Sequence, residues 1–114
     1  MTDLKTMVDA LGAVTVSVPA GWASRTVKGV FASDLISDIL VSDGEEILLL
    51  TSLLSDQVLH TAGVIGATAV VLVNRRQIPA ALGKMAEKQR LPLFHTPIPK
   101  FEACVRLGRL MEPA

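Results

Sequence analysis

Cysteine is almost missing from this chain: Cys104 is the only one. That excludes an internal disulfide and a cysteine-based zinc site. Aromatic residues are scarce too, with one tryptophan, three phenylalanines and no tyrosine. Net charge is absent, because eleven basic and eleven acidic residues cancel without a block of either sign. Nucleic acid is therefore not an expected partner, since no basic field is present to neutralise phosphates. No apolar run approaches the roughly 20 residues that a membrane-spanning helix needs, so a membrane is not expected either. His60 and His95 are the only histidines, too few for a histidine-based metal site, and no metal or cofactor is expected. Three sequence signatures are also missing: the G-x-G-x-x-G loop, the G-x-x-x-x-G-K-[ST] loop and the G-x-S-x-G serine elbow. The opening segment MTDLKTMVDALG lacks the charged-then-apolar pattern of a secretory signal. A cytoplasmic location is the expectation.

What is abundant is apolar. Half of the 114 residues are hydrophobic, rich for a water-exposed domain of this size. A small chain has much surface for its volume, so the surplus points to an oligomer interface, and the expected oligomer is a homodimer. The whole span 1–114 is long enough for a single domain that needs no disulfide or metal.

Periodicity gives the order of elements. Leu4, Met7, Val8 and Leu11 recur at helical spacing, with Thr2 or Asp3 as the cap and Gly12 as the stop. AVTVSV (13–18) alternates as a half-buried edge strand does. Four strand-then-helix units follow: TVKGVFA with a helix over 33–41, EEILLLTS with 55–64, ATAVVLVN with 79–90, and LPLFHT with 99–111. Gly44, Gly63, Gly66 and Pro92 punctuate them. The runs ILLL and AVVLV are apolar on both faces, as strands covered by helices on two sides must be. The fold class is α/β: a three-layer α/β/α domain with a mostly parallel sheet of about five strands, one edge strand antiparallel.

Parallel α/β sheets take ligands at the carboxyl ends of their strands. Those ends turn polar abruptly here, at Thr51-Ser52, Asn74-Arg75 and His95-Thr96. Thr51, Ser52, Asn74 and Thr96 are therefore the candidate ligand-binding residues, facing an anionic or nucleotide ligand. His95 is the better placed of the two histidines, at a strand end, whereas His60 reads as a surface or interface residue within a helix. Cys104 fits a core-facing stripe with Phe101 and Val105, and an inert buried thiol is the expectation. Trp22, in a Pro- and Gly-containing segment, anchors either an interface or its own domain. The last helix is apolar over so wide an arc, including Ala103, Leu107 and Leu110, that a second buried face is expected.

The segment FASDLISDIL carries two carboxylates four residues apart. On a helix starting at Ser33, that serine is the natural N-cap and Asp34 meets the positive end of the dipole. Asp38 is left without an account, open to a role at an interface or crevice. A sensor of adenine nucleotides or phosphorylated metabolites as the main role is the alternative reading, and an enzyme using Asp34, Asp38 or His95 comes after it; no catalytic residue is assigned.

VKGVFASDLISDIL resembles the DRTGG domain family, whose members carry a similar glycine, small residue and Ser-Asp-Leu-hydrophobic-Ser-Asp run. LLLTS, HTAGVIGATAVVLVN and LPLFHTPIPKFEACVRL continue the likeness in order, over roughly residues 14–111. The literal pentapeptide is absent, the nearest string being Ser24-Arg25-Thr26-Val27-Lys28. The resemblance implies a fold similar to the N-terminal domain of HPr kinase/phosphorylase. It also implies a non-catalytic regulatory or dimerising module, with a partner enzyme or kinase encoded nearby. Ser33, Asp34 and Asp38 become structural or interface signatures under that likeness, and Trp22 joins them as an anchor on its loop position alone.

Overall fold

A computed structural model describes residues 2–42 and 45–111. Its five-stranded sheet has the order β2-β7-β6-β5-β4, built from β2 (Val14–Ser17), β4 (Gly29–Ala32), β5 (Ile47–Thr51), β6 (Ala69–Leu72) and β7 (Leu93–His95). β4, β5, β6 and β7 run parallel, and β2 closes one edge antiparallel to β7. The α/β class and the antiparallel edge strand are as expected, but a register shift between Thr15 and Ser17 breaks the alternation expected for AVTVSV, and Val14 is 50% exposed.

Helices cover both faces. Chain order runs β4, α2 (Ile36–Leu40), β5, α3 (Asp56–Ile65), β6, α4 (Ala80–Gln89), β7. Each step moves one strand along the sheet, and crossovers of one hand moving one way leave their helices on one face. Accordingly Ile39, Val58, Leu59, Ala62, Leu82 and Ala86 pack together on Leu49, Val70, Leu72 and Leu93. The alternate strand residues, Leu48, Leu50, Ala69, Val71 and Phe94, face the other way, toward α1 (Leu4–Ala10) and α5 (Lys100–Met111). The period of two in a strand thus divides one apolar run between two cores.

Local chemistry explains the helix ends. Asp3 accepts from the Thr6 N–H at 2.8 Å and starts α1. Ser55 accepts from Gln57 at 3.1 Å and starts α3. Gly66 ends α3 at φ 76°, donating to the carbonyls of Ala62 and Gly63, a left-handed position that a side chain disfavours. Arg90 holds the same left-handed conformation after α4, at φ 56°.

Three further features differ from the periodicity. The stretch 26–32 is two strands: β3 (Thr26–Val27) pairs antiparallel with a two-residue β1 (Thr2–Asp3), apart from the main sheet. Two-residue strands are too short to leave a pattern. The second helix begins at Ile36, not Ser33, because the β4–β5 ladder continues to Ser33, whose N–H donates to the Leu50 carbonyl at 3.1 Å. On the last helix Ala103 and Leu107 face the core with Cys104 beside them, while Phe101 is 81% exposed. Phe101 therefore does not share a core-facing stripe with Cys104. Gly44 lies outside the described residues.

Candidate functional site

The parallel register fixes what meets at the carboxyl end. Residues 29–32 pair with 47–50 at a constant offset, so Asp34 arrives opposite Ser52. Its Oδ1 accepts from the Thr51 hydroxyl at 2.9 Å and from the Ser52 N–H at 2.8 Å. Its Oδ2 accepts from the Ser52 hydroxyl at 2.6 Å and pairs with Lys100 Nζ at 2.7 Å. Partial burial opposes ionisation, yet the Lys100 ammonium and the Ser52 and Thr51 donors outweigh it. They hold the carboxyl well below the usual carboxylate range. From the other side, Arg75 Nε and Nη2 donate to the Ser52 carbonyl at 3.0 and 2.7 Å. One carboxylate thereby joins the ends of β4 and β5 to the start of α5.

This reverses the roles of the two aspartates. Asp34 does not cap a helix: the Ser33 hydroxyl accepts from Leu35 N–H in a turn, and Leu35 occupies the N-cap position without a side-chain bond. Asp38 is the acidic residue in the first turn of α2, the place where a negative charge meets the helix dipole. It is exposed.

The other strand-end residues separate by what they bind. Thr96 is fully buried; its hydroxyl donates to the Leu11 carbonyl at 3.0 Å and accepts from Ile98 N–H at 3.3 Å. Thr51 is equally buried, and besides donating to Asp34 it accepts from Leu53 N–H at 3.3 Å. The Asn74 backbone is left-handed, φ 57°, and its N–H donates to the Ile98 carbonyl at 2.9 Å, while the residue as a whole is exposed. His95 Nδ1 lies 3.1 Å from the Arg75 carbonyl. A carbonyl only accepts, so Nδ1 carries the proton and Nε2 is the ring's other hydrogen-bonding atom. Trp22, in a 3₁₀ turn (Trp22–Ser24), packs on Phe94 of its own domain, ring centroids 5.3 Å apart at 53°. His60 is exposed on α3 and Cys104 is half-buried. Among the described residues no group of three or more His, Cys, Asp or Glu is placed to hold a metal.

An open cleft of about 600 Å³ lies at the same end of the sheet, toward the β2 edge. Thr15, Val16 and Ser17 of β2 form one wall with His95. The β6–α4 loop (Arg76 to Pro79) and the α4 residues Ala80, Gly83, Lys84 and Glu87 form the other. Gly83 brings helix and strand together, since a Cβ there would lie 3.1 Å from Val16 Cγ1.

Lys100, Arg75, Arg76 and Lys84 were not legible as site residues in the sequence. One signal for Lys100 was available: a lysine opening a helix opposes the dipole and asks for a carboxylate nearby.

No protein-family model matches the chain, and no curated protein matches it significantly. Among solved structures it is similar to the CBS and DRTGG domains of the regulatory region of a Clostridium perfringens pyrophosphatase, crystallised with the activator diadenosine tetraphosphate. The TM-score is 0.76 and the identity 13%, over 93% of this chain. This chain spans 46% of the length of that one, and at such low identity the likeness establishes the fold alone. A relationship in fold to a DRTGG-containing protein agrees with what the Ser-Asp-Leu segment implied. Among the described residues no helix is long and apolar enough to cross a membrane.

Proposed function

We propose that residues 1–114 act as one non-catalytic, DRTGG-like regulatory module in the cytoplasm, which dimerises and responds to a small anionic or nucleotide ligand at the carboxyl end of its sheet. The observation that carries this reading is the tie at that end. Asp34 links β4, β5 and α5 through Thr51, Ser52 and Lys100, and Arg75 adds the loop after β6. A ligand contacting this end perturbs several elements together, which is what a sensor requires. Ser52 and Asn74 stand at the ligand-facing rim in this reading, with the buried Thr51 and Thr96 holding the strand ends in place. Asp34 is neutralised by Lys100, an arrangement suited to structure and not to proton transfer. The structural neighbour is a regulatory region bound to a dinucleotide activator, which supports the nucleotide class.

The dimer rests on apolar surface. Leu35, Leu40 and Val41 are exposed beside the edge strand β4, and Leu54, Val64, Phe101 and Leu110 are exposed elsewhere. Large exposed apolar surfaces mark interaction sites. A partner enzyme or kinase encoded nearby is the module's target in this reading.

Two measurements test it. Sedimentation at tens of micromolar should give a dimer, and a monomer there would remove that part. A thermal-shift screen of adenine nucleotides and phosphorylated metabolites should find a stabilising ligand, because binding at 100 times Kd adds about 2.7 kcal/mol. No stabilisation by any of them at millimolar concentration would refute the sensor.

A further inference from the structure

We infer that the cleft between β2 and α4 is a binding site for a phosphate monoester, with Arg76 and Lys84 taking the phosphate and Glu87 the polar end of the same molecule. This rests on the ligand-sensing reading, but it moves the ligand from the Ser52 and Asn74 rim to a neighbouring cleft lined by neither residue, and it narrows the ligand to one chemical class. Several of the cations on the described surface have protein partners. Lys5, Lys28, Lys100 and Arg106 are in ion pairs, and Arg25 and Arg75 donate to carbonyls. Arg76 and Lys84, like Lys88, Arg90 and Arg109, are in none of these contacts, and of these five Arg76 and Lys84 are the two that line the cleft.

Two permanent cations match a dianion. A phosphate monoester carries about −1.5 to −2 at neutral pH, whereas a single carboxylate would leave one of the pair unsatisfied. Arginine's planar fork suits two oxygens of a phosphate, and lysine supplies a point charge beside it. Glu87 lies three residues beyond Lys84 on α4, about one turn along the same helix face. It repels the phosphate and accepts from hydroxyl or amino groups, which sets the ligand's direction along the cleft. Val16, Ile78 and Pro79 give the apolar part a wall, and Ser17, Gln77 and His95 add hydrogen-bonding groups. The space of about 600 Å³ lies in the range of small-molecule sites.

Nucleotides and sugar phosphates share this chemistry, so both serve as probes. Amide NMR titration of the full chain uses adenosine 5′-monophosphate and glucose 6-phosphate, with adenosine and glucose as controls lacking the phosphate. At least one phosphorylated compound should shift the amides of residues 15–17 and 76–87, and neither control should do so at equal concentration. Arg76→Ala and Lys84→Ala should each weaken binding about tenfold, as loss of a charge-assisted contact does. Both side chains are exposed, so unchanged spectra of the free variants establish folding. Glu87→Gln should leave phosphate binding intact and reduce discrimination between the two compounds. Phosphate-dependent shifts that persist undiminished in the Arg76→Ala/Lys84→Ala double variant would overturn the cleft assignment and leave the sensing reading standing. An absence of shifts with either phosphorylated compound at millimolar concentration would overturn the phosphate-monoester assignment, while the thermal-shift screen decides the sensing reading separately.

Discussion

Removing the Asp34 carboxylate tests the tie at the strand ends most directly. Thr51 is fully buried, so Asp34→Ala leaves its hydroxyl without its acceptor, at about 1–3 kcal/mol. Ser52 is half-buried, and water replaces part of what its N–H and hydroxyl lose, so these add less. The Lys100 pair is worth only about 0–1 kcal/mol, because both side chains are about one-third exposed. Asp34→Ala should therefore cost about 2–4 kcal/mol. Asp34→Asn keeps an oxygen for Thr51 and the Ser52 N–H, and should cost about 1–2 kcal/mol. Lys100→Met should cost least, below about 1 kcal/mol. Urea denaturation followed by circular dichroism at pH 7 measures all three.

Acid adds an independent check on the same group. The folded-state pKa of Asp34 lies below its unfolded value, which is about 3.9. The ionised group's contribution is therefore complete above about pH 5 and is lost as the pH falls through the unfolded value toward the folded one. The wild-type advantage over Asp34→Asn should shrink between pH 5 and pH 3. An Asp34→Ala variant within about 0.5 kcal/mol of wild type at pH 7 would refute the reasoning, being below the cost of one orphaned buried hydroxyl. So would an Asp34→Asn deficit that stays constant into acid.

Asp38→Asn should cost only a few tenths of a kcal/mol, up to about 1, since the dipole interaction of an exposed first-turn carboxylate is that small; the same denaturation series reads it. Arg90→Gly should stabilise by about 1 kcal/mol, by relieving a left-handed backbone that a side chain disfavours, visible as a higher thermal midpoint. Trp22→Ala removes the ring packed on Phe94 and should cost about 2–4 kcal/mol. Because Trp22 is the only tryptophan, a Phe94→Leu variant should also alter its native fluorescence, and unchanged emission would contradict the stack.

The strands were legible because burial writes itself into composition. Leu48, Leu49 and Leu50 are apolar in succession because helices cover both faces of β5. The β2 edge was legible from its alternation. The start of α2 was not: Ser33-Asp34 looks like a helix cap, but the ladder to Leu50 keeps Ser33 in the strand direction. Polar strand ends were legible as a group, yet their individual partners depended on register. One offset between β4 and β5 decides that Asp34 meets Ser52. The cleft was illegible for a related reason, since Ser17, Arg76, Lys84 and His95 come together only through the β2–β7 pairing and the approach of α4.

By itself, then, the sequence determined the layers, the parallel sheet with its antiparallel edge, and the end of the sheet where polar chemistry gathers. Those follow from hydrophobic period and the breaks in it, which are local properties of the chain. Only the tertiary structure decided which aspartate ties the strand ends together and which sits in the first turn of α2, that Trp22 packs inward on Phe94, and that Arg76 and Lys84 share a cleft. Each of these is a contact between distant residues, set by strand register and helix packing, and a one-dimensional pattern carries neither.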